Sequence, residues 1–242
     1  ASSLVLIDPD TLQILWQGYA PELIGGRITS TVFASRQYIY LAGMNDIHRM
    51  VYERGHIRAD QDWHPVPYRQ GDETPGTAVV GFGDHVVVQS NALPTRAPLR
   101  ITVIHQAAPD RVISAQPFAS EGATQSFMPS KASTDLVNGR IYCGDAHGGI
   151  AALRLQSGAL VTDWTAPIKT GSFLTIIGPQ QRRILVASDI GDASYDTFGA
   201  PTHRTETRRW LDAATGATLA AVENLPRNFG LTLVPKADGS IF

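Results

Sequence analysis

The chain has 242 residues, a formal charge of −2 and 17% charged residues, a size that one all-β domain reaches by itself. The near-neutral balance excludes nucleic-acid binding through a basic excess, and no apolar run approaches the roughly 18 residues of a membrane span. One cysteine, Cys143, excludes a disulfide framework within the chain; it ends the short apolar run 141–143 and reads as a buried thiol.

The first element is a strand-like run, Leu4-Val-Leu-Ile7, followed by the polar turn Asp8-Pro-Asp-Thr11 and a second run that closes on Trp16. No basic region precedes it, as expected of a chain whose leader has been removed, or of a cytosolic or trimmed product. The same unit of run, turn, run and tryptophan returns at 150–164 and 209–219, with weaker copies at 49–57 and 100–113. Its turns centre near residues 10, 55, 108, 157 and 214, a spacing of roughly 45 to 57 residues that suits one propeller blade.

Between these hairpins lie two further strand-like runs each time: 28–34 with 37–41, 77–82 with 85–89, and 173–177 with 183–187. No apolar pattern of period 3.6 persists for the length of a helix. The expectation is one all-β domain over 1–242, a β-propeller of four-stranded antiparallel blades. The run 237–242 reads as the opening of a second strand, and the head of the chain as the third and fourth strands of a blade. Pairing of the segment near Ile241 with that near Leu4 would then close about five blades and remove exposed strand edges. The alternative is a fragment of a six- to eight-bladed propeller.

Leu211-Asp-Ala-Ala-Thr-Gly216, and more loosely Ile7-Asp8 with Thr11 and Trp16, resemble the quinoprotein-like (pyrroloquinoline-quinone-type) β-propeller repeat. That repeat joins a Leu-Asp-x-x-Thr-Gly hairpin to a Trp-bearing outer strand. Enzymes, assembly factors and binding proteins all carry it, so the resemblance implies a fold and not an activity. It also implies a periplasmic or secreted location. For a dehydrogenase it implies a quinone cofactor beside a vicinal cysteine pair in an eight-bladed barrel, which one cysteine and 242 residues do not provide.

In a propeller, the loops entering a blade and those joining its second and third strands share the face on which ligand sites lie. By spacing, the second-to-third-strand loops are 43–48, 90–98, 144–149 and 188–207. Of seven histidines, three fall in them: His48 with Asn45 and Asp46, His147 with Asp145, and His203 behind Asp189, Asp192 and Asp196. Imidazoles bind divalent metals and act as general bases near neutral pH. Convergence of histidines and carboxylates from several blades would build a metal or acid–base site.

The candidate ligand-binding residues are therefore Asn45, Asp46, His48, Asp145 and His147. The candidate metal ligands are Asp189, Asp192, Asp196 and His203, for Zn²⁺ if the imidazoles converge and Ca²⁺ if only the carboxylates do. The competing reading is that Asp, Asn, His and Gly are ordinary turn residues. Loops as long as 188–207 are uncommon and usually functional or disordered, and Tyr195 and Phe198 would equally make this one a lid or a partner contact.

Trp16, Trp63 and Trp164 take comparable blade positions and are expected to pack between blades, and the segment 69–76 reads as a plain blade-linking loop. No phosphate-binding glycine loop or Gly-x-Ser-x-Gly elbow is present. Three functions stay open: a propeller binding a small molecule or protein on its channel face, a metal-dependent hydrolase or lyase, and a quinone-cofactor dehydrogenase.

Overall fold

The first two strands, β1 (Ser3–Ile7) and β2 (Ile14–Tyr19), pair as an antiparallel hairpin. Asp8 closes its turn by accepting the backbone N–H groups of Asp10 and Thr11. The computed structural model describes residues 3–28, 33–34, 38–71, 73–76, 78–92, 99–118, 131–145, 148–191 and 205–226. A five-residue helix, α1 (Ala20–Ile24), follows with proline in its first turn and ends at Gly25 with φ of 68°, the left-handed cap that glycine supplies most readily.

The second sheet is β3 (Phe33–Ala34), β4 (Tyr38–Ala42), β5 (Asp46–Glu53) and β6 (His56–Ala59), with the short β7 (Val66–Pro67) added to β5. After β8 (Glu73–Thr74) comes the third: β9 (Val79–Phe82), β10 (His85–Ala92), β11 (Arg100–His105) and β12 (Ala108–Ala115), with β8 paired to β10. The fourth is β13 (Ser133–Asp135), β14 (Arg140–Asp145), β15 (Gly149–Gln156) and β16 (Ala159–Ala166). The fifth is β17 (Thr170–Ile177), β18 (Ile184–Asp189), β19 (Thr205–Asp212) and β20 (Thr218–Pro226).

Each full sheet is an antiparallel meander, and the first strands touch in succession, β3 with β9, β9 with β13 and β13 with β17. That succession is a propeller's inner ring. Apolar cores fill the seams between blades. Val87 packs with Ile141, Cys143 and Leu153 of the fourth blade, while Val86 and Val88 pack with Tyr40 and Ile47 of the second. A sheet buried on both faces needs continuous apolar runs in its middle strands, which is why these strands do not alternate in sequence. The outer strand β20 alternates with nothing because almost all of it is exposed.

The turn centres read from the sequence fall within a residue or two of the observed third-to-fourth-strand hairpins, and the paired inner runs become β3/β4, β9/β10 and β17/β18. Three placements are corrected. His48 and Asp46 lie inside β5, so the bend is only 43–45, because β5 continues pairing with β4 as far as Ala42. Trp63 lies after β6 in the linker, not on an outer strand, although it is buried between blades as expected. Asp145 and Asp189 end strands β14 and β18 rather than opening loops. The pairing of Ile241 with Leu4 lies outside the described residues.

An antiparallel meander puts first-to-second-strand turns and third-to-fourth-strand hairpins at one end of each blade. The second-to-third-strand bends and the exits to the next blade lie at the other. The molecule therefore has two rims of different composition, and the predicted site residues belong to the second.

Candidate functional site

On that rim, the bend between β4 and β5 is closed by Gly43, whose N–H donates to Asp46 O at 2.8 Å. Both oxygens of Asn45 are engaged: its carbonyl accepts Tyr68 N–H at 3.2 Å and its Oδ1 accepts Arg69 Nε at 2.8 Å. The buried Tyr68 hydroxyl donates to Gly43 O at 3.0 Å and accepts Gly76 N–H at 2.8 Å. Arg69 also donates to the backbone oxygen of Glu73.

Glu73 is only 2% exposed, and a charge buried so deeply must be paired and hydrogen-bonded. Its Oε1 takes Arg100 Nε at 2.9 Å; its Oε2 takes Ser90 Oγ at 2.8 Å and Gln70 N–H at 3.0 Å. The segment 68–76 is thus a stitched girdle joining the second and third blades, not the plain linker its composition suggests. Arg69, Glu73 and Arg100 were missed because their partners come from three separate stretches of sequence.

His48 is half-buried opposite Leu41. Burial pushes its pKa below the ordinary 6.5, against the opposing pull of the Asp46 carboxylate, so the ring is neutral at pH 7. It borders a cavity of about 220 Å³ shared with Arg49, Asp60, Gln61, Trp63 and Pro65. Arg49 and Asp60 are each 8% exposed and form an ion pair at 2.6 Å. The Arg49 guanidinium also donates to Gln106 O at 2.6 Å and lies 4.0 Å from the Tyr38 ring centroid and 4.5 Å from that of Trp63. Trp63 is 4% exposed, and its indole Nε1–H is buried without an acceptor among the described residues.

Asp189 pairs with Arg209 through Oδ2 at 2.6 Å and accepts Gly191 N–H on Oδ1 at 3.0 Å. It borders a second cavity of about 220 Å³ with Glu206, Thr207, Arg209 and Asn224. Glu206, 3% exposed, repeats the Glu73 arrangement: Ser188 Oγ donates to its Oε2 at 2.5 Å and Arg208 pairs with its Oε1. Among the described residues no three His, Cys, Asp or Glu side chains gather as metal ligands would. His147, Asp192, Asp196 and His203 lie outside the described residues, as do the side chain of Asp145 and both Tyr195 and Phe198.

The site thus joins His48 to Trp63, which the sequence marked only for packing, and to Arg49, Asp60 and Gln61, which it did not mark, while Asp189 is held by arginine. Cys143, the sole cysteine, is buried in β14 with its Sγ 3.8 Å from Ala151 O. No vicinal cysteine pair exists, and the residues present do not fit that element of a quinone site. No described helix is long and apolar enough to cross a membrane.

No family model matches the chain, and neither does any curated protein sequence. Solved structures do match. The quinohemoprotein alcohol dehydrogenase of Comamonas testosteroni superposes with a TM-score of 0.62 at 15% identity, over 99% of this chain and 42% of that one. Another quinohemoprotein alcohol dehydrogenase, from Pseudomonas putida, gives 0.56 at 14% identity, over 93% and 40%. A europium-containing methanol dehydrogenase gives 0.52 at 13%, over 91% and 47%. The chain spans less than half the length of these three structures. At such identities the likeness concerns architecture alone: this is an all-β propeller with blades similar to those of the quinoprotein dehydrogenases.

Proposed function

We propose that the chain is a binding propeller that takes a small, uncharged polar molecule in the cavity beside His48. The observation that carries this reading is Trp63, which lines an open cavity and whose buried Nε1–H has no acceptor among the described residues. Leaving such a group unsatisfied costs about 1–3 kcal/mol, and an oxygen supplied by a ligand recovers it. Arg49 and Asp60 neutralise one another and His48 carries no charge at pH 7, which favours an uncharged occupant. Gln61 offers both a donor and an acceptor. The volume of about 220 Å³ lies below the roughly 300–1,000 Å³ of drug-sized sites, so a polyol or monosaccharide is the fitting class.

Asn45 and Asp46 shape the bend behind this site. The pairing of Asp189 with Arg209 favours binding over metal chemistry at the other cavity. The test is saturation-transfer NMR with a panel of monosaccharides and short polyols, on the wild-type chain and on Trp63→Phe. Transfer to at least one compound, lost in the variant, is expected. Equal transfer in both proteins, or none from either, would sink the reading.

A further inference from the structure

We infer that the opposite rim carries a separate site for a phosphate group. Three turns meet there around a cavity of about 120 Å³. The first-to-second-strand turn of the fourth blade brings Arg140, and that of the fifth brings Arg182 and Arg183. The third-to-fourth-strand hairpin of the fifth blade brings Asp212.

Three arginines and one aspartate therefore line this space, and two further carboxylates stand behind it, Asp163 on Arg140 and Asp135 on Arg183. Asp212 Oδ1 is already taken by the N–H groups of Ala214 and Thr215, at 2.8 and 3.0 Å. Arg140 directs Nε to Asp163 at 2.7 Å. Arg183 directs Nη1 to Gly178 O at 2.5 Å, but its buried Nε–H has no acceptor among the described residues. Asp135 Oδ1 lies 3.8 Å from that nitrogen, close enough for an ion pair but beyond hydrogen-bond reach. The exposed Arg182 guanidinium makes no hydrogen bond or ion pair among the described residues. Asp163 is shared between Arg140 and Arg154, so among these groups Arg182 is the cation left without a counter-charge.

The walls are fixed in advance. Ala213 N–H donates to Arg183 O at 3.1 Å, and Ala213 O accepts Tyr142 Oη at 2.9 Å and Trp164 Nε1 at 3.2 Å. Preorganised donors bind without a further ordering cost. Guanidinium forks suit both carboxylates and phosphates. Here they arrive from two different turns, which favours a tetrahedral group with oxygens on every side over a planar one. The small volume admits the phosphate itself, with any ester substituent left outside.

The experiment is calorimetric titration of the folded chain with sodium phosphate, O-phosphoserine, sodium acetate and sodium chloride at matched ionic strength. It is run in parallel on Arg182→Gln and Arg183→Gln, with circular dichroism to verify their fold. Saturable phosphate binding with Kd below about 1 mM, weakened about tenfold or more by either substitution, is expected. Phosphoserine binding as tightly as phosphate marks an ester as the natural source; a preference for the free ion marks inorganic phosphate. Acetate binding as well as phosphate, no binding beyond that of chloride, or Arg182→Gln binding like the wild type would overturn the proposal. None of these outcomes touches the His48 cavity, so the two sites stand or fall separately.

Discussion

Trp164, on the outer strand of the fourth blade, packs directly on Gly216 in the hairpin turn of the fifth. A Cβ on Gly216 would fall 2.6 Å from indole Cε3, and the indole Nε1–H reaches Ala213 O in the same turn. Tyr142 donates to that oxygen as well, and burial pushes its hydroxyl pKa up to about 12, so it stays a donor at any physiological pH. The recurring tryptophan and the Thr-Gly turn are thus two halves of one contact between neighbouring blades.

Gly216→Ala introduces a methyl group into the Trp164 ring at a backbone φ of 76°. Overpacking of this kind costs about 1–3 kcal/mol. Gly158→Ala is the control, with φ of 80° and nothing within 4 Å of the added carbon, so it carries only the backbone penalty of about 1 kcal/mol. Urea denaturation of both variants measures the difference. Equal losses would mean the ring contact contributes nothing.

Asp60→Asn leaves the Arg49 guanidinium buried without its counter-charge. Removing one partner of a buried pair costs about 3–5 kcal/mol, and a fall of that order in unfolding free energy is expected. Arg49→Lys is expected to be nearly as damaging, because an ammonium cannot stack between Tyr38 and Trp63 as the planar group does.

Trp63 separates packing from hydrogen bonding. Trp63→Phe keeps most of the ring and deletes an unsatisfied donor, so stability should change by less than about 1 kcal/mol. Trp63→Ala opens the seam between the second and third blades and should cost about 3–5 kcal/mol. If the phenylalanine variant is as unstable as the alanine one, the indole N–H has a partner after all.

Acid should weaken the fold in two stages. His48 and His85 both have folded-state pKa values below the ordinary 6.5, chiefly through burial, with His105 adding to the effect at His85. The unfolded chain therefore binds these protons more readily, and their stabilising contribution is full above pH 6.5 and lost as pH falls through the folded values. Asp163 is held below 3.8, mainly by its hydrogen bond from Arg140, so its share is lost only in stronger acid. Melting temperature followed from pH 8 to pH 3 should show both steps, and His48→Gln should shrink the first. An unchanged first step in that variant would remove His48 from the account.

Much of the fold was legible because local chemistry and repeat period agree. Asp212 and Gly216 mark a turn wherever they stand, and the Trp164 strand precedes it at blade spacing. His48 was legible as a residue but not as part of a strand, since nothing local says that β5 begins at Asp46 rather than after it. The rest of the cavity was not legible. Trp63 was legible as a packing residue, but Arg49 and Asp60 acquire meaning only when the linker folds back on β5, and the position of the Trp63 N–H relative to an acceptor is a three-dimensional property. The Glu73 girdle was hidden for the same reason: a buried carboxylate and three donors spread over thirty-odd residues look like an ordinary polar stretch.

The linker after β6 lends β7 to the second blade and β8 to the third, which bears on how such a molecule can be recombined. Repeat proteins are commonly diversified by duplicating or exchanging whole units. Here a cut between Gln70 and Glu73 leaves each strand with its own sheet but parts Arg69 and Gln70 from Glu73, and Tyr68 from Gly76 and Thr102. Inherited, transplanted or circularly permuted as a pair, these two units keep hydrogen bonds that either one loses alone.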